Sequence, residues 1–273
     1  MRQNYKMILQ YEGTRYNGWQ RQGNTSDTIQ GKIEAVLGRM AGELVEIHGS
    51  GRTDAGVHAL GQVANFYLPA EIEIQSLPES GKMPGMSGKK SVRMKKTDQI
   101  RDYLNAYLPE DIAVISVEEA PERFHSRLNA VRKVYAYRIE TGARRNVFLR
   151  RTIYGLGQPL DLEAMEQASL LLIGTHDFKG FSCGNKKMKK STVRTIYSID
   201  IRQDFGAGGV TLRFTGNGFL QNMVRILTGT LIEVGLHKRS WQSIREILEA
   251  QDRQMAGFTA PAEGLCLEHV FYD

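Results

Sequence analysis

The chain has 273 residues, 41% of them hydrophobic and 24% charged, and 36 Lys and Arg against 30 Asp and Glu give a net charge of +6. That apolar content excludes disorder as the main state, and the length leaves room for two modest domains or one large one. Two cysteines, Cys183 and Cys266, exclude a disulfide framework and a paired metal site, and both are read as buried or inert thiols.

The opening MRQNYKMILQYEG has no long apolar core after its charges and does not read as a signal peptide. Lys6–Tyr11 reads as a strand, stopped by Glu12-Gly13-Thr14. Asp27-Thr28-Ile29-Gln30 resembles a capping box, and Ile29, Ile33, Val36, Leu37 and Met40 follow at helical spacing, so a helix is expected from Thr28 to Ala41. Leu44–His48 and Gln62–Leu68 read as strands on either side of a glycine-rich loop. Glu79–Lys96 is glycine-rich and basic and reads as a mobile loop or insertion. A helix over Asp98–Tyr107, a strand over Ile112–Val117 and a linker over Pro121–His125 follow.

The second half repeats this order. Lys133–Glu140 reads as a strand, and Asp161 caps a helix carrying Leu162, Met165, Leu171 and Leu172. Thr195–Arg202 and Val210–Phe214 read as strands around the turn Gly206–Gly209. Asn222–Val234 and Trp241–Ala250 read as helices and Leu265–Phe271 as a closing strand. The pattern is that of two α+β units of similar design, divided at about residues 1–120 and 121–273. The longest apolar run, Leu170–Ile173, is far short of the ~20 residues of a membrane span, so no membrane is expected and a cytoplasmic location is.

The positive charge is local. Glu79–Arg101, Ala143–Arg151 and Lys186–Arg194 together carry +14, which leaves −8 for the rest of the chain. An anionic partner is therefore expected to meet particular patches rather than the whole surface.

The densest chemistry lies in Gly49-Ser-Gly-Arg-Thr-Asp-Ala-Gly-Val-His58, followed by Gly61. An Asp on such a loop suits a nucleophile or general base, and Arg52 nearby would hold Asp54 ionised. Equally, Asp54 could cap a turn and pair with Arg52 on the surface. The loop is neither a Walker A nor a G-x-G-x-x-G motif, which speaks against a nucleoside triphosphate site. His58 reads as a structural hydrogen-bonding residue, and Tyr11, Tyr16 and Trp19 as packing residues. His48, His125, His176, His237 and His269 show no metal-ligand spacing.

Gly51–Phe66, GRTDAGVHALGQVANF, resembles the signature of the tRNA pseudouridine synthase A family. Tyr11–Gln22, Leu104–Ile112, Phe124–Arg127, Arg132–Tyr137, His176–Phe178, Gly218–Arg225 and Ala262–Leu265 resemble further family blocks, in the family's order. Glu79–Lys96 looks longer and more basic than the family's usual connection, and Gln221-Asn222 stands where histidines are common.

The resemblance implies two ferredoxin-like halves sharing an extended antiparallel sheet, with the active cleft between them. It implies isomerisation of uridine to pseudouridine in the tRNA anticodon stem-loop, at positions 38 to 40, without cofactor or metal. It makes Asp54 the catalytic carboxylate and nucleophile, whether it attacks the sugar or acts by another route. It makes Tyr135 the ring that stacks on the uracil, and Arg225 the partner of the carboxylate. It makes Arg52 the residue that occupies or organises the space left by the flipped nucleotide. By their residues alone, Tyr135 reads as a core tyrosine and Arg225 as a buried ion-pair partner. Lys89, Lys90, Arg144, Arg145, Lys187 and Lys189 are candidates for the RNA backbone. A homodimer is implied as well. The competing readings are a non-catalytic RNA-binding module and a phosphate-dependent enzyme using the glycine loop.

Overall fold

A computed structural model describes residues 1–72, 74, 95–144, 146–183, 191–205 and 208–273. The first half runs β1 (Arg2–Tyr11), α1 (Ile29–Ala41), β2 (Ile47–Gly49), β3 (His58–Pro69), α2 (Lys96–Tyr107) and β4 (Ile112–Ala120). In space these strands lie in the order β4-β1-β3-β2. The second half runs β5 (Ala130–Glu140), β6 (Tyr154–Gly155), α3 (Leu162–Leu170), β7 (Gly174–Asp177), β8 (Val193–Phe205), β9 (Gly209–Gly216), α4 (Met223–Gly235), α5 (Ser243–Ala250) and β10 (Leu265–Tyr272). Its main strands lie in the order β10-β5-β9-β8, with β7 outside β8 and the two-residue β6 beside β5. Both halves are thus β-α-β-β-α-β units with the same spatial order of fourth, first, third and second strand, the ferredoxin-like arrangement.

The two units fuse through β10. Its register is antiparallel to β5 from Leu265↔Tyr137 to Tyr272↔Ala130, and parallel to β3 over Cys266↔His58 and Leu267↔Ala59. The sheet is therefore antiparallel apart from this seam and the short β5–β6 pairing. Strands β2 and β10 share one edge of β3, because β1 occupies the other. At the seam the chains come very close: a Cβ at Gly61 would lie 2.4 Å from the Glu268 carbonyl oxygen.

Helix α1 forms where its apolar spacing predicts, and Ile29, Ile33, Val36, Leu37 and Met40 are all buried. Its cap is Thr28 rather than Asp27. The Thr28 hydroxyl accepts the Gly31 N–H at 3.2 Å, while Asp27 pairs with Lys32. Gln30 does no capping; it binds Glu34 and the Ile47 carbonyl. Asp161 caps α3 as expected, accepting the Ala164 N–H, but the helix ends before Leu171. One apolar core runs through both units, from Tyr5, Met7 and Leu9 to Phe214, Leu227 and Leu267. The opposite face near the seam is polar, with Arg213 and Arg138 around Glu268.

The expected linker is not slack. Asn4 donates to the carbonyls of Pro121 and Phe124, Asn65 accepts the Ser126 N–H, and Tyr272 donates to the Ser126 carbonyl. The expected loop over Glu79–Lys96 lies outside the described residues up to 94, and Lys95 and Lys96 belong to the start of α2. Of the two free cysteines Cys183 is exposed rather than buried, and burial pushes the Cys266 thiol up to about 12. Among the described residues no helix is long and apolar enough to cross a membrane.

Because Gly61 lets β3 and β10 approach, Gly61→Ala is expected to cost about 1–3 kcal/mol of stability. Denaturant unfolding measures this, and an unchanged midpoint would show that the seam tolerates a side chain there.

Candidate active site

The loop between β2 and β3 is held from three sides. The Trp19 N–H donates to the Thr53 carbonyl at 3.0 Å, and the hydroxyls of Tyr11 and Thr53 lie 2.8 Å apart. Gln62 holds the Ser50 hydroxyl at 2.7 Å and the Gly51 carbonyl at 3.0 Å. His58 accepts the Gly13 N–H through Nδ1 at 2.9 Å, and its Nε2 lies 3.1 Å from the Glu263 carbonyl. That pairing fixes the tautomer with hydrogen on Nε2, and burial pushes the ring's pKa down, keeping it neutral. The turn closes with Val57 N–H on the Asp54 carbonyl and Gly56 at φ +78°, a backbone state that glycine adopts without strain. Asp54 therefore sits on a loop whose neighbours on both sides are fixed.

Its carboxylate enters a cleft of about 400 Å³ lined by both halves of the chain. Arg225, on the first turn of α4, places Nη1 4.0 Å from Asp54 Oδ2. The guanidinium is itself clamped, with Nε on the Ala260 carbonyl at 2.7 Å and Nη1 on Asn222 Oδ1 at 2.9 Å. Asn222 adopts φ +58° just before α4, a left-handed state that Asn tolerates better than most residues. Burial pushes the Asp54 carboxyl above the ordinary carboxylate value; Arg225 and the Asn222 backbone act against that shift. The result is a carboxylate short of solvent and held beside one cation.

Tyr135 projects from β5 and packs edge-on against Phe219, with ring centres 5.2 Å apart. It is buried, and burial raises its hydroxyl pKa well above the ordinary value, so the phenol stays protonated. Val57, Leu220, Val224 and Leu265 supply apolar lining, and Arg52, Arg127, Lys133 and Arg194 supply charge.

The sequence profile described as tRNA pseudouridine synthase matches residues 7–129 and 168–273. The chain belongs to this family. A tRNA pseudouridine synthase A from Bacillus sp. (strain KSM-64) is 45% identical over 269 residues, covering 98% of this chain and 99% of its own. A tRNA pseudouridine synthase A from Geobacillus sp. (strain WCH70) is 42% identical over 274 residues, all of both chains. A tRNA pseudouridine synthase A from Clostridium kluyveri is 40% identical over 269 residues, 98% of this chain and 99% of its own.

The fold brings four of the family-motif residues, Asp54, Arg52, Tyr135 and Arg225, to one cleft. The partner that Asp54 meets is Arg225, and Arg52 is exposed and makes no ion pair with it. The expectation that Arg52 holds the carboxylate ionised is thus replaced: the cation comes from α4, and burial outweighs it. His58, Tyr11, Tyr16 and Trp19 take the structural places expected of them. Arg144 is exposed, away from the cleft lining, whereas Lys89, Lys90, Arg145, Lys187 and Lys189 lie outside the described residues. Sequence reasoning gave no role to Lys133, Phe219 or Asn222. Asn222 carried a usable signal, an Asn directly before an apolar helix.

Two outcomes follow for the carboxyl. By NMR titration Asp54 is expected to ionise above the usual carboxylate value of about 4, and Arg225→Met to move it further up. A raised folded-state pKa means stability that is present at low pH and lost as pH rises through that pKa. Asp54→Asn is therefore expected to unfold at the same temperature as the wild type or higher at neutral pH. A clearly lower melting temperature would contradict the desolvated carboxylate.

Proposed function

We propose that this chain isomerises uridine to pseudouridine in the anticodon stem-loop of tRNA, at positions 38 to 40, with Asp54 as nucleophile. What carries the reading is the half-buried Asp54 carboxylate beside Arg225 and Tyr135, in a chain of the pseudouridine synthase family. The reaction breaks the N-glycosidic bond, turns the uracil and joins C5 to the same ribose carbon. The C5 proton leaves and N1 regains one, so no group is imported and no electrons are exchanged.

Each neighbour then has a task. Asp54 engages the nucleotide while the base is detached, and a desolvated carboxylate is a stronger nucleophile than a hydrated one. Arg225 keeps it oriented and ionised. Tyr135 stacks on the uracil against Phe219, and its protonated hydroxyl serves as a donor that can pass a proton. Arg52, exposed at the cleft, fills the space left when the uridine leaves its stack. Lys89, Lys90, Arg144, Arg145, Lys187 and Lys189 meet the RNA backbone. The reading includes a division into halves at residues 120 and 121, a homodimer that spans one RNA, and a cytoplasmic location.

The test is tritium release from 5-tritiated uridine in an unmodified tRNA transcript. Wild type is expected to release it, and Asp54→Ala to fall to background while still binding the RNA. Release by Asp54→Ala at the wild-type rate would remove Asp54 from the mechanism, and no release by wild type would overturn the function.

A further inference from the structure

Arg127, Lys133 and Arg194 come from three separate places: the segment before β5, β5 itself, and the start of β8. They meet in the lining of one cleft. Their charges act on one another. Burial, and then Arg127 and Arg194, push the Lys133 amine down to about 8. Burial likewise lowers the Arg194 guanidinium from its ordinary value.

No carboxylate balances them. Among the described residues none of the three forms an ion pair, and Asp54, the one acid in the cleft lining, is paired with Arg225. Lys133 donates to the Ser50 carbonyl at 2.5 Å, and Arg194 to the carbonyls of Ser191 and Val193. Those neutral acceptors orient the cations without neutralising them. Lys133 and Arg194 are partly withdrawn from water beside the exposed Arg127, with no counter-ion; that arrangement is costly to the folded chain, and a bound anion relieves the cost.

Position says which anion. Lys133 and Tyr135 are two residues apart on one face of β5. A methyl group at Gly51 would lie 3.1 Å from Lys133 Nζ and 3.9 Å from the Tyr135 hydroxyl oxygen, so both groups flank the same small opening. An amine and a ring so placed match the phosphate and the base of one nucleotide.

We propose that Arg127, Lys133 and Arg194 form an anion seat that holds the RNA phosphodiester adjoining the target uridine. The proposal rests on the pseudouridine synthase reading above and adds where the substrate backbone is gripped. Held at its base by Tyr135 and at its phosphate by the seat, the nucleotide presents its ribose to Asp54. Lys133, Arg127 and Arg194 are positioning residues in this scheme.

The test pairs neutral linkages with neutral side chains. Stem-loop RNAs carry a methylphosphonate immediately 5′ or 3′ of the target uridine, and binding is measured to Asp54→Asn, which keeps the RNA unconverted. One of the two substitutions is expected to weaken binding by about tenfold. That penalty should vanish when Lys133→Gln or Arg127→Gln is added, and each added change should lower the salt slope of binding by about 0.7. Arg127 is exposed and its side chain bonds to no described residue, so Arg127→Gln keeps the test open should Lys133→Gln fail to fold. An equal penalty with and without the added changes overturns the seat, as does no penalty at either linkage. Wild-type protein that forms pseudouridine in tRNA while the linkages stay uncoupled overturns the seat alone; wild type that forms none overturns the reading beneath it.

Discussion

Strand β10 is the constraint on which everything else depends. Its eight residues, Leu265–Tyr272, bond to β5 along one side and to β3 along the other. Without it the two ferredoxin-like units would each present an open strand edge and lose the ladder that makes their strands one sheet. With it, Asp54 from one unit and Tyr135 and Arg225 from the other are set against each other by a continuous sheet. A hydrogen-bonded ladder suits this task better than a side-chain interface, because its register admits no gradual slip.

The site combines rigid support with poor solvation. The Asp54 loop is anchored through Trp19, Tyr11, Gln62 and His58, none of which touches the cleft carboxylate. Arg225 is anchored through Ala260 and Asn222. The stability sacrificed in desolvating Asp54 is thus borne by a framework of neutral hydrogen bonds and buried rings, as expected where local strain or desolvation serves chemistry.

Much of this was legible in the sequence, for identifiable reasons. Helix α1 and the strands β1, β4, β5, β8 and β9 followed from periodicity and glycine punctuation, whereas the strand expected over Leu44–His48 is β2 at Ile47–Gly49, with Leu44 exposed. Where reading failed, two rules competed. Asp27 and Thr28 are both good caps, and only burial of Thr28 decides between them. The strand expected over Gln62–Leu68 runs from His58 to Pro69, with Gly61 inside it, where the backbone of β10 passes too close for a side chain. Strands of two and four residues, β6 and β7, leave no periodic signal. Arg52 and Asp54 seemed natural partners by spacing, yet a fixed loop can turn residues two apart toward different surroundings. Lys133 escaped notice because its companions, Arg127 and Arg194, are remote in sequence and converge only in the fold.

The His58–Glu263 contact joins positions 205 residues apart. Contacts of that span close late, since most of the chain must be ordered before they reward their loop entropy. The first unit has its own strands and helices and can organise early during synthesis, while its outer β3 edge waits for β10. A nascent chain in that interval holds the Asp54 loop without Arg225 or Tyr135 opposite it. The seam therefore acts as a timer on assembly: the cleft that holds Asp54, Tyr135 and Arg225 exists only after both units are made and docked.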